Sequence, residues 1–459
     1  MENPYASPSQ SREDLQGGSE LAVEEQRAVL AKITLKLIPL LFVCYIVAYV
    51  DRINVSFAKD HLAAPMGVDP ALLGNIFGTG AGLFFIGYFL FEIPSNMALQ
   101  RFGARIWIAR IMILWGIVSA CFVFVNGVTS FYVLRFLLGA AEAGFFPGII
   151  LYLTYWFPAK ERAKTMALFA LGGVAAGVIG HPISGALLSM NGIWGIPGYK
   201  WLFVIEAIPA VLLGLVVLLR LPNGPAQAGW LQAREKQWLL GTLEREARET
   251  AGSRRTHLKD AFTSPVVWQL TFIYFLLNVA GYGFEFWLPS IVKKLSNQPD
   301  YVVGLINMIP YAAAGVAMVL VGRSSDRSGE RHGYIAAAAF CSAIGFCAAA
   351  YFANPWLAVA ALTLAFAGQK SSLGPFWAMG ASTLSGTAAA GGIALINSVG
   401  NLGGYVGPKL VGVIEKKSGN AALAMYWLGG AMLVMAFTAL LLSRRRAFRQ
   451  PGLKDTIPS

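Results

Sequence analysis

The stretch Gly322-Arg323-Ser324-Ser325-Asp326-Arg327-Ser328-Gly329-Glu330-Arg331 connects two apolar runs, and a related stretch, Gln100-Arg101-Phe102-Gly103-Ala104-Arg105, connects two earlier ones. The pattern Arg-x-Gly-x-Arg occurs in both stretches, 226 positions apart. Pro182 and Pro408, each followed by a glycine within an apolar run, have the same offset. Two unrelated landmarks at one offset indicate that the second half of the chain repeats the first.

Twelve apolar runs surround these landmarks, six in each half. Each has roughly the 20 residues that a helix needs to cross the hydrocarbon of a bilayer. We therefore predict an all-α polytopic membrane protein with twelve transmembrane helices in two pseudo-symmetric six-helix bundles. The bundles cover residues 35–221 and 261–443, with a central loop at 222–260, helical from Glu235 to Glu249, and tails at 1–34 and 444–459. The predicted spans are residues 36–58, 72–97, 106–126, 129–156, 165–190, 200–221, 266–292, 302–322, 333–353, 355–379, 387–414 and 421–443.

The composition of the whole chain agrees with a membrane protein. Of its 459 residues, 56% are hydrophobic and 13% are charged, whereas a soluble domain has about 25% charged residues. This difference excludes a soluble enzyme, a disordered chain and a fibrous protein. The net charge of +12 indicates a basic cytoplasmic face and not a nucleic-acid partner. Because Lys and Arg concentrate in alternate loops, we predict that both termini are cytoplasmic.

Cysteine and histidine predict neither a disulfide nor a metal centre. The four cysteines all lie in apolar runs without a CxxC pair, and the four histidines are scattered along the chain. We also find no pairing of a nucleophile with a base. The sequence therefore predicts no cofactor, no metal and no enzymatic activity.

Several stretches resemble one known family. Residues 322–331 resemble the G-x-x-x-D-R-x-G-x-R loop motif of the major facilitator superfamily, although the first-half copy has Asn96 and Gln100 in place of the Gly and the Asp. Almost the whole chain is similar to the anion:cation symporter family, in its tartrate, phthalate and hydroxyphenylacetate transporter branch. The stretches that carry this likeness are Tyr49-Val50-Asp51-Arg52-Ile53-Asn54, Arg135 to Pro147, Tyr282 to Pro289, Gly374 to Trp377 and Ile396 to Gly404.

The resemblance implies the major facilitator fold, proton-coupled uptake of a small organic anion, and alternating access by two rocking six-helix bundles. By likeness to sugar-acid transporters of the family, the residues that contact the substrate would be Tyr49, Arg52, Tyr88, Trp377 and Asn397. The loop motifs imply an inner gate that contains Arg101, Asp326 and Arg327. The substrate stays open among tartrate-like dicarboxylates, aromatic acids and sugar acids.

Charged residues inside the predicted spans are candidates for the transport chemistry, because a charge in hydrocarbon costs about 2.5–3.5 kcal/mol and normally faces a cavity or a partner. Asp51 and Arg52 lie deep in span one, and Arg135 and Glu142 are two helical turns apart in span four. Arginine offers a carboxylate a planar bidentate fork. We therefore predict that Arg52 and Arg135 bind the anion and that Asp51 and Glu142 bind the coupled proton. The alternative is a structural ion cluster.

Other intramembrane charges are less decisive. Lys370 in span ten suits a second carboxylate, so we place it in the substrate site, while Glu285 either tunes substrate choice or faces outer water. Glu206 lies nearer the end of its span and is interpreted as structural. Pro147 is expected to kink span four, because proline removes a helical hydrogen bond.

We therefore expect a multi-pass, monomeric transporter in a bacterial inner membrane, whose partners are protons, an organic anion and membrane lipid. A proton-coupled antiporter that exports a metabolite or drug, and a non-transporting membrane sensor, are the alternatives. The sensor is disfavoured because the longest interior loop, residues 222–260, is too short for a soluble output domain.

Overall fold

The computed structural model describes residues 21–252, 263–383 and 386–443. Within this part of the chain every regular element is a helix, so the all-α prediction is confirmed. Three predicted regions lie wholly or partly outside the described residues: the C-terminal tail, residues 1–20 of the N-terminal tail, and residues 253–260 of the central loop.

The helices fall into two compact units. The first comprises Met1–Leu73, Leu83–Arg255 and Pro299–Leu305, and the second comprises Gly74–Gly82, Thr256–Gln298 and Ile306–Ser459. Gly74–Gly82 thus belongs to the second unit and Pro299–Leu305 to the first, and the described part of the central loop lies in the first unit.

The helices up to the central loop are α1 (Val23–Ile53), α2 (Val55–Ala58), α3 (Ala63–Met66), α4 (Pro70–Phe102), α5 (Ala104–Ala120), α6 (Val128–Glu142), α7 (Phe145–Thr154), α8 (Ala159–Leu188), α9 (Gly198–Arg220) and α10 (Ala233–Gly252). Those that follow it are α11 (Pro265–Glu285), α12 (Leu288–Ser296), α13 (Asp300–Ser328), α14 (His332–Tyr351), α15 (Pro355–Ser371), α16 (Leu373–Thr383), α17 (Gly386–Asn401), α18 (Gly403–Ser418) and α19 (Ala424–Ser443).

Ten helical stretches of the described chain are long and apolar enough to cross a membrane. The two other predicted spans, 355–379 and 387–414, are each divided into two helices, α15 with α16 and α17 with α18. The first division lies at Ser372, whose hydroxyl donates to the Gln369 carbonyl at 2.7 Å. Pro375 then lacks an amide proton for the helical ladder. Local side-chain bonding and a proline therefore interrupt the span without ending it.

Helix α1 begins at Val23, inside the stretch predicted as a polar tail of residues 1–34. The Glu25 carboxylate accepts a hydrogen bond from the Ala22 amide at 2.9 Å, which caps the first turn. Lys32 pairs with Glu235 of α10 at 2.9 Å. The polar residues of this stretch are helical because they cap α1 and join it to the helix of the central loop.

The predicted kink of span four lies earlier than Pro147. The span divides into α6 and α7 at Ala143 and Gly144, directly after Glu142. Gly144 has a φ of +84°, and a side chain there would overlap Ser95. Pro147 lies in the first turn of α7, where a missing amide proton breaks no helical hydrogen bond. The glycine, not the proline, therefore ends the helix that carries Glu142.

Candidate functional site

Helix α1 presents Asp51 and Arg52 near its end, and both side chains are buried, with 2% and 8% of their surface exposed. Consecutive residues of a helix point about 100° apart. Arg52 contacts Glu142 of α6, whereas Asp51 contacts α5. The adjacent pair in the sequence therefore belongs to two different side-chain clusters of the first unit.

The first cluster centres on an ion pair between Arg52 and Glu142. The Arg52 Nε donates to Glu142 Oε1 at 3.1 Å, and Arg52 Nη2 bonds the same oxygen. The guanidinium also lies over the rings of Tyr49, Phe84 and Tyr88, 5.6, 5.3 and 5.6 Å from their centroids. Aromatic faces attract a cation, more strongly when it is desolvated. The structure thus brings together four predicted site residues: Tyr49, Arg52, Tyr88 and Glu142.

Arg135 completes this cluster from two turns before Glu142 on α6. It is fully buried, its guanidinium lies 5.1 Å from the centroid of the Phe84 ring, and its charge acts on Glu142. The two helices cross closely here, because a Cβ on Gly139 would overlap the Phe84 backbone. Small residues permit such close crossings between membrane helices. The cluster therefore holds two arginines and one glutamate against aromatic rings.

Asp51 heads the second cluster. Trp115 Nε1 donates to Asp51 Oδ2 at 3.0 Å, and the Ser119 hydroxyl donates to Oδ1 at 3.0 Å. The Asn54 amide donates to the same Oδ1 at 3.4 Å. Among the described residues no basic side chain forms an ion pair with Asp51. Its neighbours are neutral donors, together with the negative charge of Glu206.

Glu206 is a residue that the sequence interpretation set aside as structural. It is 5% exposed, and the Ser184 hydroxyl of α8 donates to its Oε1 at 2.7 Å. The signal that could have found it is an acid within the apolar run 200–221, because buried carboxylates require a partner or a proton.

The second unit contains its own buried ion pair. Lys370 of α15 lies 2.7 Å from Glu285 Oε1 of α11, and Glu285 is completely buried. The Lys370 ammonium is also 5.0 Å from the centroid of the Phe366 ring. Trp377 of α16 is half-buried and packs edge-on against Tyr274 at 5.0 Å, and Asn397 of α17 is also half-buried. The predicted substrate lysine is thus paired with Glu285, a partner that was not predicted.

The predicted gate residues lie at exposed helix ends. Asp326 pairs with Arg331 of its own loop at 2.7 Å. Arg327 is exposed, and Arg101 lies over the neighbouring Phe102 ring at 5.6 Å. Among the described residues no group of three or more His, Cys, Asp or Glu side chains could hold a metal ion.

Comparison with known proteins gives matches along most of the chain. The model of the family described as Major Facilitator Superfamily matches residues 41–408. The chain is 46% identical to a protein of Agrobacterium vitis named "Putative tartrate transporter" over 417 residues, 91% of this chain and 95% of the relative. It is 41% identical to the "Quinolone resistance transporter" of Acinetobacter baumannii, over 89% of this chain and 93% of the relative.

A solved structure shares the fold at low sequence identity. The crystal structure of a D-xylose-proton symporter aligns with a TM-score of 0.72 and 16% identity, and the alignment covers 88% of this chain and 97% of the symporter. At this identity the likeness concerns the arrangement of helices only.

Proposed function

Because this chain belongs to the major facilitator superfamily, and is therefore a multi-pass membrane transporter and not an enzyme, we propose that it imports a small organic carboxylate together with protons, by alternating access. The family, its tartrate-transporter branch and the fold of twelve transmembrane helices, all predicted from the sequence, are confirmed. The substrate class and the proton coupling are the proposal.

The observation that carries the proposal is the buried Arg52–Glu142 pair with Arg135 beside it. A carboxylate substrate needs a cation, and a guanidinium binds it through two parallel hydrogen bonds. Without substrate, the Glu142 carboxylate pairs with the Arg52 guanidinium and balances its charge. The anion and the Glu142 carboxylate therefore compete for one guanidinium.

Protonation decides this competition. A proton on Glu142 removes its negative charge and releases Arg52 to the incoming carboxylate, which Arg135 also attracts. Tyr49 and Tyr88 then contact the bound anion. The net charge of the cluster is the same in two states: the empty state, in which Arg52 pairs with Glu142, and the loaded state, in which the anion and the proton are both bound. A buried cation or anion without a partner is strongly unfavourable, so only these two states reorient and leak is suppressed.

The Lys370–Glu285 pair of the second unit supports an anionic substrate. It repeats the arrangement of a buried cation held by a glutamate. We propose that Lys370 also binds a substrate carboxylate once Glu285 is neutralised, and that Trp377 and Asn397 contact the substrate. Tartrate, which the relatives' names mention, has two carboxylates and is the probe of choice.

The remaining expectations complete the proposal. Arg101, Asp326 and Arg327 belong to an inner gate that opens and closes during the cycle. The protein functions as a monomer in the bacterial cell membrane, with both termini in the cytoplasm. The Lys and Arg asymmetry of the loops supports this orientation.

The test is uptake of radiolabelled L-tartrate by proteoliposomes whose outside solution is more acidic than their interior. The wild type should accumulate tartrate and take up protons with it. Arg52→Lys keeps the charge but loses the fork, and losing one charged hydrogen bond of about 1.5–3 kcal/mol should weaken tartrate binding about ten- to a hundredfold. Arg234→Lys, at an exposed pair with Glu25, is the matched control and should behave as wild type.

Each alternative gives a different result in the same vesicles. Proton-driven expulsion of substrate would establish antiport. Specific tartrate binding without flux would indicate a sensor. Uptake that is equal in wild type and Arg52→Lys would remove Arg52 from the substrate site.

A further inference from the structure

Two buried carboxyl groups of the first unit lie apart from the arginine cluster. Asp51 of α1 and Glu206 of α9 are 2% and 5% exposed. They are joined through Asn54, whose amide donates to Asp51 Oδ1 and also acts on the Glu206 carboxylate. The charge of Glu206 acts directly on Asp51. Helices α1 and α9 thus hold two acids as one pair.

The hydrogen bonds of the pair leave one place for a proton. Both Asp51 oxygens accept from neutral donors, Trp115 on one and Ser119 with Asn54 on the other. Glu206 Oε1 accepts from Ser184. The other Glu206 oxygen, Oε2, is buried and has no hydrogen-bond partner among the described residues. A buried polar atom without a partner is unfavourable unless a proton or ligand satisfies it.

The charges around the pair do not neutralise it. Glu142 is the other charged group that acts on Asp51, and the two arginines of that region, Arg52 and Arg135, act on Glu142. His181 lies one turn before Ser184 on α8 and is buried edge-on against Phe57, 5.2 Å between ring centroids. Two carboxylates without a cation are strongly disfavoured in a medium of low dielectric, and paired acids then retain a proton.

We propose that Asp51 and Glu206 form a shared proton-binding site, separate from the Arg52–Glu142 pair, which binds a coupled proton without competing with the substrate. This rests on the proposed proton-coupled transport. Protonation of Glu142 is linked to substrate binding, because the Glu142 carboxylate and the anion compete for Arg52. The Asp51–Glu206 pair instead binds its proton in response to pH alone. Glu206 acts through Asp51, because its charge sets the pH at which the pair takes its proton.

The site fits a proton better than a metal cation. Na⁺ and larger cations need several oxygen ligands, but donors from Trp115, Ser119 and Asn54 already occupy the Asp51 oxygens. Replacing Na⁺ by K⁺ at constant pH should therefore leave transport unchanged. A requirement for Na⁺ that Glu206→Gln abolishes would overturn the proposal in favour of a cation site.

The main experiment measures the initial rate of L-tartrate uptake against outside pH in proteoliposomes. Glu206→Gln removes the second acid, so its pH midpoint should move to lower pH, while the half-saturating tartrate concentration changes less than about twofold. Glu206→Asp keeps an acid and should stay closer to the wild type. Glu244→Gln, the same change at a partly exposed residue of α10 that pairs with Arg248, is the control. A residue with a structural role alone would lower the rate at every pH and leave the midpoint in place, which would overturn the proposal.

Two further measurements separate the possible failures. If Glu206→Gln does not fold, Glu206→Asn can be compared with Glu206→Asp. These two side chains have the same length and differ only in that Asp carries a carboxyl group and Asn an amide. Infrared pH-difference spectra in lipid need no substrate: a titrating carboxylic acid band of the wild type should change in Glu206→Gln and not in Glu244→Gln. An unchanged band rejects the carboxyl pair, whereas absence of tartrate uptake by the wild type rejects only the proposed function.

Discussion

Replacing Arg52 by methionine should make the stability of the protein depend on pH. Glu142 is 2% exposed, and Arg52 donates to its Oε1 from two nitrogens. Methionine fills a similar volume but supplies no charge. The Glu142 carboxylate then stays buried with the charge of Arg135 alone acting on it. Breaking a buried pair by removing one partner costs about 3–5 kcal/mol.

A proton limits this cost. An ordinary glutamate has a pKa of about 4.3, so protonating it at about pH 7 costs roughly 3.7 kcal/mol, at about 1.36 kcal/mol per pH unit. At about pH 5.5 the same step costs roughly 1.6 kcal/mol. The folded variant holds a proton that the unfolded chain releases, so its stability falls as pH rises above the unfolded pKa. Any attraction from Arg135 reduces both figures.

The assay is thermal unfolding in detergent at these two pH values. Arg52→Met should lose roughly twice as much stability, relative to wild type, at the higher pH as at the lower one. Arg52→Met/Glu142→Gln has no carboxylate left to titrate at this pair and should lose the pH dependence. An equal loss at both pH values, or a double variant that behaves as the single one, would refute the argument that Arg52 compensates the Glu142 charge.

Three further outcomes follow from the described contacts. Glu285→Gln neutralises the group 2.7 Å from Lys370, so tartrate should half-saturate counterflow at a lower concentration at neutral pH; an unchanged value would remove Lys370 from the substrate site. Gly139→Ala should lower stability by about 1–3 kcal/mol, because its Cβ would overlap the facing backbone, whereas Gly322→Ala has open space around it; equal melting temperatures would contradict the close crossing. Asp326→Asn removes an exposed ion pair and should slow uptake with little loss of folded protein; normal transport would limit the loop to folding or topology.

The sequence predicted the parts of the fold and site that depend on local patterns. Apolar run length predicted the spans, and the spacing of Arg135 and Glu142 placed both on one face of a helix. The structure places Arg52 against Glu142 of that helix. Spans and helix faces are predictable because they rest on helical periodicity and on the cost of an unpaired charge in hydrocarbon.

Tertiary contacts were harder to infer. Asp51 and Arg52 are adjacent in the sequence, but their side chains point about 100° apart on the helix and contact different helices. The pairing of Lys370 with Glu285 joins separate helices and has no local signature. The break of span four is caused by Gly144 and not by the more conspicuous Pro147. Gly144 has a positive φ and lies close to Ser95, and neither property can be inferred from the local sequence.

The central claim is that the proton releases Arg52 from Glu142 to the substrate, and Glu142→Gln tests it most directly. The amide mimics the protonated acid and cannot return to a carboxylate. In proteoliposomes this variant should exchange tartrate in counterflow at equal pH, and it should fail to accumulate tartrate when a proton gradient is imposed. If Glu142→Gln still concentrates tartrate to the wild-type level with the same proton uptake per tartrate, Glu142 is not the switch and the account is contradicted.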